Sequence, residues 1–191
     1  MSVNIPLFGS YVHKLPNEIS DVLLSEDYYK NYKHNNPDQP SYGSFQNLSW
    51  KDEEFELFNK LNKFYSPIID NFMNDIGQYK NSNYRWEIWW QIYEPNSPGF
   101  KIHKHCGKQG DPQVISFNHF VKTVSNSSFF TWVFGNKKEI LHEEKEGEII
   151  FFAGHAFHRV KENNTDQHRL TISGNIYMID SLGYYENGEY P

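Results

Sequence analysis

The 191-residue chain holds a single cysteine, Cys106, so no disulfide can form within it and no oxidising compartment is implied. Burial as a small apolar side chain is the plain reading of that thiol. No stretch approaches the roughly 20 apolar residues that span a bilayer. Positive charge is also short, since 18 Lys and Arg stand against 24 Asp and Glu for a net of −6, which argues against attraction to a nucleic-acid backbone. The first residues, Met1 to Phe8, lack the basic start and long apolar core of a signal peptide. The expectation is a cytoplasmic protein with no membrane or nucleic-acid partner. Internal repeats and low-complexity tracts are lacking too.

Aromatic residues are plentiful: 15 Phe, 13 Tyr and 5 Trp make up 17% of the chain. They suit the pleated, half-buried surfaces of a β-sandwich or barrel. The length fits one domain, residues 1–191, better than two. Its first part, residues 1–83, reads as a supporting region. A strand is expected from Tyr11 to Leu15, a turn at Pro16, and a loop through the Asn-, Pro-, Gly- and Ser-rich stretch from Asn31 to Ser44. Ser49 and Asp52 resemble a helix start, and Phe58, Leu61, Tyr65, Ile68, Phe72 and Ile76 recur at three- and four-residue spacing. One long amphipathic helix, kinked at Pro67, should lay that stripe on the outside of a sheet.

From Tyr84 the pattern shortens to strands. They are expected at Tyr84 to Glu94, Gly99 to His105, Val114 to Thr123, Phe129 to Phe134, Ile140 to Glu143, Gly147 to Phe152, Ala156 to Lys161 and Arg169 to Ile179. Eight short strands separated by turn residues predict a mainly β, jelly-roll or cupin-like barrel over residues 84–180. A loose tail, 181–191, follows. The run Glu143, Glu144, Lys145, Glu146 reads as a solvated turn.

Within this frame His103-Lys104-His105 places two imidazoles on one face of a strand, where both can reach one metal ion. A third, His158, follows a Gly-bounded strand and a Gly-containing turn and opens the next strand. His155 is its nearest competitor, but sits inside the turn. In Arg169-Leu170-Thr171-Ile172-Ser173 the polar residues share one face. An inward arginine is costly to bury unless an anion meets it, and its planar fork suits a carboxylate.

The block from Trp89 to Ile179 resembles the double-stranded β-helix core of the iron(II)- and 2-oxoglutarate-dependent oxygenases, especially small phage and marine bacterial members with an H-x-H first motif. Phe152-Ala153, His158, Val160, Asn163, Arg169, Thr171 and Asn175 carry the resemblance, which covers about half the chain. It implies a double-stranded β-helix with N-terminal supporting helices, Fe(II) held by His103, His105 and His158, and 2-oxoglutarate whose distal carboxylate meets Arg169, with Thr171 as a supporting hydroxyl. Three protein ligands leave about three octahedral positions, enough for a bidentate 2-oxo acid and oxygen. Trp89, Gln91, Tyr93 and Asn118 are candidate pocket residues on neighbouring strands.

His105 stands where the commoner facial triad has a carboxylate, so the site is one unit more positive. A second register makes His105 the first ligand with Gly107 at the carboxylate position, which strands His103. Ala153 replaces the usual proline and affects only turn stiffness. Two alternatives stay open: a cupin-like tris-histidine metalloprotein that uses no 2-oxo acid, and a non-enzymatic β-barrel binding module. The substrate, a small molecule or a peptide, would be chosen by the loops Pro95 to Gly99 and Gly107 to Gln113 and by the N-terminal region.

Overall fold

A computed structural model describes residues 7–33, 42–44, 52–77, 84–105, 114–125 and 127–178. Cys106, Gly107, the Gly107 to Gln113 loop and the tail 181–191 lie outside them. Ten strands are described: β1 (Leu7–Val12), β2 (Tyr42–Gly43), β3 (Tyr84–Tyr93), β4 (Phe100–His103), β5 (Val114–Lys122), β6 (Phe130–Phe134), β7 (Lys138–Leu141), β8 (Glu148–Ala153), β9 (His158–Val160) and β10 (Arg169–Met178). The eight expected from Tyr84 onward are all there, with ends moved by a residue or two.

They form two antiparallel sheets, one ordered β1-β8-β5-β10-β3-β2 and one ordered β4-β9-β6-β7. The sheets face each other, because Phe120, Ile150 and Phe152 of the larger pack with Phe130 and Trp132 of the smaller. Edge-on ring contacts join them, Trp132 to Phe152 at 5.1 Å and Phe120 to Phe130 at 6.0 Å; such geometry places ring edges against ring faces.

The other face of the larger sheet is covered by helix α3 (Asp52–Asp75), which stays helical through Pro67. The expected stripe does the covering: Leu61, Tyr65, Ile68 and Phe72 are buried against Phe117, Phe151, Ile172 and Ile176. Phe72 stacks on Phe151 at 4.0 Å, and the buried His119 of β5 accepts a 2.6 Å hydrogen bond from the Tyr65 hydroxyl while donating from Nε2 to the His13 carbonyl. Burial pushes the His119 pKa down to about 3, so the ring is neutral and structural. No described helix is long and apolar enough to cross a membrane.

The amino-terminal part departs from expectation. The first strand runs Leu7–Val12 rather than Tyr11 to Leu15, because it takes its register from β8, with Tyr11 opposite Ile149. Pro16 introduces a helix, α1 (Asn17–Leu23), its carbonyl accepting from the Ile19 and Ser20 amides; a second short helix, α2 (Glu26–Tyr29), follows. The expected loop contains the two-residue strand β2, which pairs with β3 at Ile92 and Gln91.

Candidate metal centre

Register across the larger sheet builds the floor of the site. On its inner face Ser173 of β10 lies between Trp89 of β3 and Asn118 of β5, Asn175 lies between Glu87 and Ser116, and Thr171 lies between Gln91 and Phe120. Alternation along β10 sends Leu170 and Ile172 the other way, into the helix-covered core.

The histidines come from the facing sheet and its edge. His103 closes β4 and is the cross-strand partner of His158, which opens β9. His105 lies just beyond β4 rather than on a continuing strand, and its amide donates to the Gly154 carbonyl at 2.8 Å. Gly154 in turn donates to the Val114 carbonyl, and a Cβ there would meet that oxygen at 2.7 Å. Only glycine lets the turn approach β5 that closely and hold His105 in place.

One potential ligand nitrogen from each of His103, His105 and His158 lies within 4.8 Å of the others. The outer nitrogen of every ring is already committed. His103 Nδ1 lies 2.8 Å from the Lys101 carbonyl and His158 Nδ1 lies 2.9 Å from the Ala156 carbonyl; a carbonyl only accepts, so both nitrogens carry the proton. His105 Nδ1 donates to Asn175 Oδ1 at 2.6 Å. The orientation of that amide is fixed because its Nδ2 donates to the Glu87 carboxylate at 3.0 Å and Ser116 donates to its Oδ1 at 2.9 Å. Each Nε2 is therefore a bare acceptor, and those of His105 and His158 face each other at 3.3 Å.

Two lone pairs so placed repel unless a proton or a cation sits between them. A proton is disfavoured: burial, then repulsion from His103, pushes the His105 pKa down to about 4. Burial, followed by His103 and His105, takes His158 well below its ordinary value, and burial lowers His103. The surroundings are aromatic: Phe130 stacks on His158 at 5.1 Å, Trp89 on His105 at 5.7 Å, and Phe100 lies 4.3 Å from His103. Nitrogens about 2.1 Å from one ion and 3.3 Å apart subtend roughly 100°. The residues fit a metal ion, with each imidazole oriented by an oxygen partner, as metal-binding histidines usually are. A cavity of about 20 Å³ adjoins them, lined among others by Gln91, Asn118 and Ser173, enough for one water.

The other candidates lie along the same inner face. Ser173 donates its hydroxyl hydrogen to Asn118 Oδ1 at 2.7 Å, and Gln91 Oε1 accepts from Thr171 at 3.3 Å and lies 3.3 Å from the Ser173 oxygen. Tyr93 lies opposite Arg169, whose guanidinium is sandwiched 4.9 Å from its ring and 4.2 Å from that of Phe129. Arg169 is buried, and the anion that meets it is internal: Nη2 donates to both oxygens of Glu144 at 2.9 Å. The Glu144 side chain is 0% exposed, which corrects its reading as part of a solvated turn. Local sequence shows only a polar run, whereas its partners come from β10 and from the Phe129 and Phe130 amides. His155 is exposed, and Asn163 pins the approach to β10 by donating its two amide hydrogens to the Glu94 and Gln167 carbonyls.

Compared as a sequence, the chain matches no family model and no curated protein. Compared as a structure, it is similar to a Pseudomonas putida prolyl-4-hydroxylase, with TM-score 0.62 and 12% identity over 88% of this chain and 91% of that one. A Trichoplax adhaerens prolyl hydroxylase, solved with a hypoxia inducible factor oxygen degradation domain peptide fragment, gives 0.65 and 11% over 94% and 87%. The viral collagen prolyl hydroxylase of Paramecium Bursaria Chlorella virus-1, solved as a 2OG complex, gives 0.55 and 14% over 88% and 94%. The fold is therefore the double-stranded β-helix of the 2-oxoglutarate and Fe(II) oxygenases, as the motif resemblance implied.

Proposed function

We propose that the chain is an Fe(II)-dependent oxygenase that couples oxidation of a small-molecule or peptide substrate to breakdown of a 2-oxo acid, 2-oxoglutarate on the precedent of its structural neighbours. The observation that carries the metal is the pair of unprotonated Nε2 atoms of His105 and His158 facing each other at 3.3 Å, with His103 Nε2 as the third donor. Bound iron would supply oxygen activation, one oxygen atom passing to the substrate and the other to the acid left after loss of carbon dioxide. The protein's part is to hold three neutral imidazoles in fixed orientation through Lys101, Asn175 and Ala156, and to keep water scarce behind Trp89, Phe100, Phe130 and Phe152. Arg169 and Thr171 lie on the β10 face that leads to this centre, which supports a role for them toward the far end of the co-substrate. The single cysteine agrees with a cytoplasmic setting.

A second reading, a tris-histidine metalloprotein without a 2-oxo acid, is favoured by one observation: the guanidinium of Arg169 already holds Glu144. Thermal melting separates the two. Mn(II), a redox-silent stand-in, should raise Tm, and millimolar 2-oxoglutarate should raise it further, as any ligand specific to the folded state does. Arg169→Ala should keep the metal shift and lose the keto-acid shift. No shift from the ion rejects both readings; an ion shift with no shift from 2-oxoglutarate removes that acid as the co-substrate and favours the second.

A further inference from the structure

The Glu144 carboxylate accepts four hydrogen bonds. Both carboxylate oxygens accept from Arg169 Nη2, and Oε1 also accepts from the backbone amides of Phe129 at 2.9 Å and Phe130 at 2.7 Å. Its own amide donates to the Ser128 hydroxyl at 3.0 Å. Moving the carboxylate away would orphan two backbone donors and a buried cation together, which disfavours its displacement.

Charge and hydrogen-bonding capacity at this place are thus unequal. The buried pair is neutral as it stands. Yet Arg169 Nε and Nη1 and the Tyr93 hydroxyl are buried without a hydrogen-bond partner, so donors remain while the positive charge is already matched. A second carboxylate brought here would place two anions on one cation in a medium of low polarity, where like charges repel strongly. A neutral acceptor, such as an amide or ketone oxygen, would satisfy the same donors without that repulsion.

The position matters because Arg169, Thr171, Ser173 and Asn175 share the inner face of β10, with Ser173 lining the cavity beside the imidazoles and Asn175 bonded to His105. We propose that Glu144 is a specificity-determining residue: by matching the charge of Arg169 it turns the far end of the co-substrate seat away from a second carboxylate and toward a 2-oxo acid ending in a neutral hydrogen-bond acceptor. This rests on the reading that a 2-oxo acid binds beside the three histidines.

Calorimetric titration of the Mn(II)-loaded protein tests it with 2-oxoglutarate and the analogue that ends in a methyl ketone, 2,5-dioxohexanoate. The wild type should bind the ketone at least tenfold more tightly than the diacid. Glu144→Gln, which keeps an acceptor and removes the charge, should shift the ratio of the two dissociation constants at least tenfold toward the diacid. A wild type that prefers the diacid overturns the inference and leaves the oxygenase reading intact, as does a ratio unmoved in a folded Glu144→Gln. Failure of the wild type to bind either acid removes the inference and the co-substrate reading together. The wild-type preference alone decides the matter if the variant does not fold.

Discussion

The two faces of the larger sheet are built from the same strands, and along β10 they differ in chemistry. On the helix-covered face β10 contributes Leu170, Ile172 and Ile176 to an apolar core shared with Tyr65, Phe72 and Phe151. On the inner face, alternate residues of the same strand are Arg169, Thr171, Ser173 and Asn175, all buried and polar. Burying apolar area stabilises the fold without demanding particular partners, whereas each buried polar group must be met by a chosen one. The first face packs against the helix; the inner one combines the apolar contacts of Phe120, Ile150 and Phe152 with polar residues arranged around the three imidazoles.

The largest effect should come from breaking the first face. Phe72→Ala removes a fully buried ring stacked on Phe151 and should cost about 3–5 kcal/mol of stability by denaturant unfolding. Metal affinity of the remaining folded protein should be unchanged. On the second face, Asn175→Ala removes the acceptor that orients His105 and should weaken Mn(II) binding about 10–100-fold with a smaller loss of stability. Equal losses in both measurements for either variant would erase the distinction.

The gentlest perturbation is pH. His103, His105, His119 and His158 all have pKa values below the ordinary histidine value in the folded chain. Below about pH 6.5 the unfolded chain takes up protons that the folded one refuses, so folded stability should fall on acidification. For His105 that decline runs from about 6.5 to about 4. Melting of the metal-free protein should move down steadily from pH 7 to pH 5; an upward shift would contradict the burial of neutral rings.

Much of this was legible in the sequence because it is written locally. Alternation and turn residues located the eight strands from Tyr84 onward, and three- and four-residue spacing located α3. His103, His105 and His158 were marked by spacing and by the strand-turn-strand frame around Gly154. What escaped was set by distant partners. β1 takes its register from β8, β2 is two residues long, and α1 and α2 are too short for periodicity to declare them. Glu144 looked like its charged neighbours until the fold brought Arg169 and the Phe129 and Phe130 amides to it. The tie between Asn175 and His105 spans 70 residues, and no local pattern encodes it.

The most direct measurement is a titration of the metal-free protein with Mn(II) or anaerobic Fe(II), counting ions per chain for the wild type and for His158→Ala. One ion per chain, lost when His158 is removed although the variant stays folded, is the predicted result. No stoichiometric binding by the wild type, or binding that survives without His158, would contradict a metal centre at the three histidines.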